Sequence, residues 1–447
     1  MPSHTPNGVT SPQHSVRFIP LSYEPTDNDA EDSNKSARKL IQDLEPEWSE
    51  EDIEFVRFTD GITNTLLKAT NQKQGLVEEQ IDANAILLRA YGHGTDVLID
   101  RQRETQNHEL LMQYGLAPKL LARFNNGMMY RYIQGKVTQP ADLRTRPVYL
   151  AVARRIAEWH ATVPCISEAS ANGHAPTKVA NGVNCVAPGK PAPNVWTVMQ
   201  KWINALSTTP VDSSQPTKAC HSAGLGDPRM EMAQLQKELD YLVDLLSQRP
   251  GLGKNGLVFA HCDLLSGNVI IEPKGPGTNG HNENGHNGCL ESDSEKEEQL
   301  TVNFIDYEYA TPSPAAFDLA NHFSEWGGFD CDYNMMPTQA QRREFIKEYI
   351  YTYYSITTEL GGGSNTKLDE KARKAEEQKL FDEIDLFRGL PGFYWGIWAL
   401  IQARISQIDF NYTDYAKIRL DEYWAWKQSR SDGEKISLRE KRWAQTE

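Results

Sequence analysis

Residues 257–271 read LVFAHCDLLSGNVII, and residues 302–310 read VNFIDYEYA. The first stretch places His261, Asp263 and Asn268 in an H-x-D-x-x-x-x-N pattern between two apolar runs. The second is an apolar run that ends at Asp306. Asp263 offers a carboxylate that can accept a hydroxyl proton. Asn268 and Asp306 offer an amide oxygen and a second carboxylate, the hard oxygen ligands that Mg²⁺ selects. The plain alternative is that both aspartates cap strands or turns, since an apolar run ending in Asp is common. The order of the two motifs, each in strand context, carries the functional reading. It is the residue set of phosphoryl transfer, in which the protein mainly positions groups and neutralises charge.

Composition bounds what surrounds these motifs. At 447 residues the chain is too long for one compact core and fits two or three units. The 46 basic and 61 acidic residues leave a net charge of -15, which argues against a nucleic-acid or anionic-membrane surface and suits attraction of a small cation. Cysteines 165, 185, 220, 262, 289 and 331 form no C-x-x-C pair, so reduced thiols are expected rather than disulfides or zinc. The N-terminus lacks the apolar stretch of a signal peptide. FYWGIWALI at 393–401 is well short of the ~20 residues that span a bilayer. The expectation is a soluble, cytoplasmic protein without stable membrane insertion.

The pattern along the chain predicts an α+β fold of two lobes. Residues 1–35 mix Pro, Ser, Asn, Asp and Thr without periodicity and are expected to be a disordered tail. A small strand-rich N-lobe is expected over 36–133, with β-like runs at 55–58, 65–70, 84–91, 119–124 and 128–133. One helix interrupts them, capped by Asp100, with Leu110 and Leu111 inward and Gly115 as its stop. A larger helical C-lobe is expected over 134–430. Its helical spacings are Val152, Ile156, Trp159 and Val163, then Leu235, Leu239, Leu242 and Leu246 between Asp227-Pro228 and Arg249-Pro250-Gly251. Residues 166–192 read as a surface excursion. The polar insert at 274–300 reads as an enlarged hairpin loop whose His281 and His286 are solvated, and 431–447 as a frayed tail.

A nucleotide needs backbone that can approach phosphates. FTDGITN places Gly61 in a tight turn with Ile62, Thr63 and Asn64 beside it, although a D-G turn is also an ordinary hairpin. No Walker-type G-x-x-x-x-G-K-[ST] occurs. The formal G-x-G-x-x-G at Gly251, Gly253 and Gly256 follows a helix and precedes a strand, the reverse of the dinucleotide-binding order. Arg89, ending the run AILLRA, is the candidate cation for phosphates, and Glu104 in the next helix could hold its guanidinium. Aromatic residues Trp395, Trp398, Phe410 and Tyr415, with Tyr309 and the pair Glu325-Trp326, could surround a small ammonium ion through cation–π attraction and charge compensation. Core packing is the alternative for any one of them. Asp318, in FDLANHF, is expected to anchor the catalytic-loop backbone, and His261 to shape that loop rather than perform chemistry.

These motifs together resemble the choline/ethanolamine kinase family, and its ethanolamine kinase branch in particular. The resemblance covers roughly 53–163 and 255–427 and rests on FTDGITN, the Arg89 strand, RFNNGMMYRYIQG, HCDLLSGN, IDYEY, FDLANHFSEW and WGIWALIQARIS. It implies a bilobal protein-kinase-like fold with nucleotide between the lobes, and transfer of the ATP γ-phosphate to an amino alcohol. On matching positions it implies that Asp263 is the base, Asn268 and Asp306 ligate magnesium, and Gly61 to Asn64 belong to the phosphate loop. Arg89 would contact phosphates, with Gln134 at the nucleotide hinge. Glu325, Trp395, Trp398, Phe410 and Tyr415 would form the amine pocket. Leu264 and Leu265 stand where choline kinases often carry Gln, as in the ethanolamine branch; the 274–300 insert is outside the family core. The implied activity is an ATP- and Mg²⁺-dependent ethanolamine kinase serving phosphatidylethanolamine synthesis, with no nucleic-acid partner and room for a homodimer. Choline kinase and a catalytically inactive amine-binding relative remain as alternatives. An aminoglycoside-type phosphotransferase would have an acid-rich rather than aromatic substrate region, and a protein kinase would carry D-F-G and A-P-E.

Overall fold

The expected strand runs of the first part form a single sheet in a computed structural model. It describes residues 16–25, 30–58, 64–92, 94–165, 187, 190, 192–208, 228–273, 300–360, 368–406, 408–430 and 437–447. The chain divides into two compact units, residues 1–92 with 118–133 and residues 93–117 with 134–447. The first unit contains β1 (Arg17–Ile19), α1 (Ala30–Leu44), β2 (Ile53–Phe58), β3 (Asn64–Asn71), α2 (Glu78–Asn84), β4 (Ile86–Tyr91), β5 (Leu120–Phe124) and β6 (Gly127–Arg131). Its six strands lie in the order β1-β5-β6-β4-β3-β2. All neighbours are antiparallel except β1 and β5. Strand alternation sends Ile86, Leu88 and Ala90 of β4 to one face, where they join Ala37, Leu40 and Ile41 of α1 in the core.

Part of the stretch expected to be a tail therefore has structure. Ile19 and Tyr23 are buried in that core. Tyr23 is also pinned by Asn126, whose Oδ1 accepts the Tyr23 N–H at 2.9 Å and whose Nδ2 donates to Tyr23 O at 2.8 Å. A three-residue strand in polar sequence carries no readable period. The α1 spacing Ala37, Leu40, Ile41 does carry one, but α1 itself begins at Ala30, before the assumed boundary at residue 36.

The second unit contains α3 (Arg101–Gln113), β7 (Lys136–Val137), α4 (Pro140–Leu143), α5 (Arg146–Thr162), α6 (Val195–Thr208) and α7 (Pro228–Leu246). Then come β8 (Val258–Ala260), β9 (Val269–Ile271), β10 (Val302–Phe304), β11 (Thr311–Ser313) and α8 (Ala315–Glu325). Five further helices follow: α9 (Gln339–Leu360), α10 (Glu370–Phe387), α11 (Leu390–Ile405), α12 (Tyr412–Ser429) and α13 (Leu438–Trp443). Helix α3 falls inside the span expected for the N-lobe but belongs here. The Trp202 indole donates to Leu98 O at 3.1 Å, and Asn107 Nδ2 to Ala310 O at 2.9 Å. Its Asp100 cap accepts from Arg103 N–H as expected, at 3.1 Å. Strands β9 and β10 pair antiparallel with Ile271 opposite Val302, the hairpin expected on either side of the insert. The insert at 274–299 and most of the 166–192 excursion lie outside the described residues.

Helices α11 and α12 pack closely because α11 presents glycine to its partner. A Cβ on Gly392 would come within 2.5 Å of Arg419 O, and one on Gly396 within 2.7 Å of the Leu420 side chain. This contact sets where the aromatic residues of both helices lie.

The expectation of a frayed C-terminal tail is corrected over 437–447. Ser437 caps α13, and Arg439, Glu440 and Trp443 are buried. Glu440 pairs with Arg388 at 2.7 Å, Arg439 donates to Ser324 Oγ at 3.2 Å, and the Trp443 indole donates to Asp385 Oδ1 at 2.8 Å. The Arg342 guanidinium lies 3.9 Å from the Trp443 ring centroid. Charged residues carry much of this docking, which made the segment read as solvated. Trp443→Ala should therefore cost about 3–5 kcal/mol in urea unfolding, the scale of an aromatic removed from a core. Wild-type stability in that variant would show that the segment contributes nothing to the fold.

Candidate active site

Strand β8 is buried throughout and delivers the chain into His261, and β9 resumes after Asn268. Between them the loop is held from one side by α8, whose Asp318, Asn321 and His322 share a helix face at i, i+3 and i+4. Asp318 accepts the N–H of His261 at 2.9 Å through Oδ2 and the N–H of Cys262 at 2.7 Å through Oδ1. Asn321 Nδ2 donates to Cys262 O at 3.1 Å, and His322 Nδ1 bonds Leu264 O at 2.8 Å. Cys262 has φ +64°, an uncommon conformation for a side-chain-bearing residue that persists only where surroundings enforce it. Both sides of its peptide are tied to α8. The expected anchoring role of Asp318 is what the geometry displays. Asn321 and His322 were not singled out, although the same helical spacing from Asp318 would have found them.

His261 joins the two motifs. Its Nε2 bonds Ile305 O at 3.0 Å, while its Nδ1 accepts the N–H of Asp263 at 3.3 Å. The Ile305 N–H in turn donates to Asn268 O at 3.1 Å. Asp306, next in sequence, has φ +63° and is fixed from its preceding peptide. Full burial lowers the His261 pKa to about 4, so the ring is neutral and its lone pair is already used. It shapes the loop and has no nitrogen left for acid–base work.

Asp263 and Asn268 are buried and face each other: Asn268 Nδ2 donates to Asp263 O at 2.7 Å and to Asp263 Oδ2 at 3.2 Å. Burial pushes the Asp263 carboxyl well above its usual range, and the carboxylates of Asp306, Glu325 and Glu308 push it further. Such a concentration of acid oxygens favours a bound cation. Among the described residues no three His, Cys, Asp or Glu side chains meet as a metal cage. One amide oxygen and one carboxylate, from Asn268 and Asp306, would suit magnesium, which commonly takes one or two protein oxygens and completes its shell with phosphate and water. The amide nitrogen of Asn268 is committed to Asp263, so its oxygen is the atom it could offer a cation.

Glu104 is buried and pairs with Arg101 at 2.9 Å; Arg101 also reaches Glu308 at 3.3 Å. Arg101 was not foreseen as a partner of Glu104. Arg89 lies on β4 in the first unit and is itself buried. Asn64 opens β3 opposite Tyr91, and Gln134 is half-buried after β6. Gly61, Ile62 and Thr63 lie outside the described residues.

Of the residues expected around the amine, most come together. Trp395 lies 5.5 Å from Tyr309 and 5.5 Å from Trp398, ring centre to ring centre. The Trp398 indole donates to Tyr309 Oη at 2.8 Å. Phe410 and Tyr415 are 5.7 Å apart, and Phe329, which was not foreseen, lies 6.2 Å and 6.0 Å from them. Tyr412 links the two groups, 5.8 Å from Trp398 and 4.9 Å from Phe410. Glu325 is buried and paired with Arg419 at 2.9 Å, and Arg419 also meets Glu422 at 3.3 Å. This buried triad keeps one net negative charge when all three groups are ionised. Trp326 is a correction. It is wholly buried against Tyr149, His322 and Phe323 and offers no face to a substrate.

A six-stranded sheet in one unit, and in the other an H-x-D loop clamped by α8 and tied through His261 to the segment that leads to Asp306, are the parts of a protein-kinase-like fold. The same α+β fold is found in an ethanolamine kinase of Plasmodium vivax, with TM-score 0.63, 22% identity and 89% of each chain covered. The family profile described as choline/ethanolamine kinase matches residues 55–424. This chain belongs to that family. Ethanolamine kinase 2 of Homo sapiens is 30% identical over 416 residues, covering 93% of this chain and 86% of the relative. Ethanolamine kinase 1 of Homo sapiens is 29% identical over 423 residues, covering 94% and 78%. Among the described residues no helix is long and apolar enough to cross a membrane.

His322 is the second neutral buried ring, its pKa also lowered to about 4 by burial. Nitrogen-15 NMR should therefore show His261 and His322 still neutral at pH 5.5, His261 with its proton on Nε2 and His322 on Nδ1. Titration of both near pH 6.5 would contradict the loop's hydrogen-bond scheme.

Proposed function

We propose that the protein transfers the γ-phosphate of ATP to ethanolamine, giving phosphoethanolamine for phosphatidylethanolamine synthesis. The observation that carries this is the loop that holds Asp263 against Asn268 and beside Asp306, in a chain whose relatives are named ethanolamine kinases. Asp263 is the base that orients the substrate hydroxyl and accepts its proton. The loose transition state of phosphoryl transfer asks for little deprotonation beforehand, so a positioned carboxylate suffices. Asn268 and Asp306 would hold Mg²⁺, which supplies charge neutralisation at phosphate oxygens. Gly61, Ile62, Thr63, Asn64, Arg89 and Gln134 are assigned to the nucleotide, with Glu104 as support.

Tyr309, Trp395, Trp398, Phe410 and Tyr415 supply aromatic faces for the ammonium group, and the net charge of the Glu325–Arg419–Glu422 triad offsets its positive charge. The raised pKa of Asp263 belongs to the same logic: cations bound near these acids restore its ionised form. Aromatic faces alone serve either amine. A primary ammonium adds three N–H donors that need acceptors, and choline has none to satisfy.

A coupled assay with ethanolamine, choline and buffer tests the reading. kcat/KM should favour ethanolamine by about tenfold or more, ~1.4 kcal/mol of discrimination. Asp263→Asn should lower kcat by roughly a hundred- to ten-thousandfold with ATP affinity preserved. Better use of choline would move the protein to the choline branch. Near-normal turnover by Asp263→Asn would remove that residue from catalysis.

A further inference from the structure

Asp263 is flanked by two carbonyls, Cys262 O before it and Leu264 O after it, and each is bonded by a different side chain of α8. Asn321 Nδ2 donates to Cys262 O at 3.1 Å. An asparagine amide can turn over and present oxygen in place of nitrogen, so this bond needs something to fix its sense. Trp395 does so: its indole N–H donates to Asn321 Oδ1 at 2.8 Å, which leaves Nδ2 directed at Cys262 O. His322 makes the matching bond to Leu264 O at 2.8 Å. An imidazole has two neutral forms, and only the one with hydrogen on Nδ1 can make it. Trp326 selects that form, because its indole N–H lies 3.1 Å from His322 Nε2 and requires a lone pair there.

We propose that Trp395 and Trp326 are positioning residues that set Asp263 through two parallel relays, Trp395–Asn321–Cys262 O and Trp326–His322–Leu264 O. The proposal rests on Asp263 being the base, and it gives both tryptophans a task separate from walling an amine. Trp326 is fully buried, so a ring face cannot be its contribution to the substrate. Trp395 does both: its ring packs nearly at right angles to Tyr309 and Trp398, while its N–H points to the helix that holds the loop. The relays also help Cys262 keep φ +64°, since its carbonyl is held as well as its N–H. Occupation of the aromatic site and alignment of the base are thereby joined through one indole.

Trp395→Phe and Trp326→Phe test this, because each keeps an aromatic ring and removes the N–H. Thermal unfolding verifies that each variant folds. For Trp395→Phe, kcat should fall about tenfold, the scale of one lost hydrogen bond, and equally with ethanolamine and choline. KM for either amine should stay within about twofold of wild type, because the aromatic face remains. Amide hydrogen exchange at residues 262–265 should quicken in both variants. Trp395→Phe added to Asn321→Leu should cause no further loss of kcat, as members of one relay act as a unit. A rise in KM with unchanged kcat would overturn the relay and leave Trp395 as a pocket wall. Unchanged exchange at 262–265 in Trp395→Phe would overturn it as well, even if Trp326→Phe failed to fold. The exchange measurement does not depend on substrate. Absence of any amine kinase activity in the wild-type protein would therefore count against the proposed function, with the relay still read separately.

Discussion

Asp318 is the interaction on which the site depends. One fully buried carboxylate accepts two successive backbone N–H groups and bonds His160 Nε2 at 3.0 Å. Burial opposes its charge, but the His160 bond and the backbone donors more than offset this and hold its pKa below the usual carboxylate range. Hydrogen bonds to an ionised group in a water-free interior are the strong kind, and breaking one leaves a buried charge unmet. Much of the second unit serves to keep that arrangement in place. His160 is braced by Tyr349 Oη of α9 at 2.8 Å, and Trp159 packs on Phe259, His261, Phe304 and Tyr307. Helix α8 is buried along its whole length because it is the platform for the loop.

The platform carries an acidic site. The carboxylates of Asp306, Glu308 and Glu325 all act on Asp263, and Arg101 stands at Glu308 and Arg419 at Glu325. The chain's net charge of -15 extends the same sign over the protein. An acidic surrounding of this kind suits the proposed activity, in which the two small ligands, a metal ion and an ammonium alcohol, would both be cations.

The loop and its anchor were legible because their chemistry is local. His261, Asp263 and Asn268 are fixed by spacing within one turn, and Asp318 by its place in an apolar helical pattern. Trp395, Trp398, Phe410 and Tyr415 were picked out as aromatic faces for a cation, and what the structure displays is their grouping through Tyr412, an arrangement that core packing also uses. What could not be read depends on distant partners. Helix α3 looked like part of the strand-rich lobe, and its ties to the second unit come from far along the chain: Ala310 at Asn107, Glu308 at Arg101, and Trp202 at Leu98 just before the helix. The last helix looked solvated, since its burial relies on Arg342 and Arg388 from α9 and the end of α10. Trp326 followed Glu325 in sequence and was read as facing the same way, but adjacent positions on a helix diverge by about 100°, and it points into the core.

The measurement that bears most directly on this account is the turnover of Asp318→Asn, read beside its urea unfolding curve and hydrogen exchange in 261–265. The substitution keeps shape while removing the charge and one acceptor from a residue that touches no substrate. A folded variant should lose kcat on the order of a hundredfold, as misplacement of a catalytic group by about an ångström does, with faster exchange of the Cys262 amide. A folded Asp318→Asn enzyme with wild-type kcat and an equally protected Cys262 amide would contradict it.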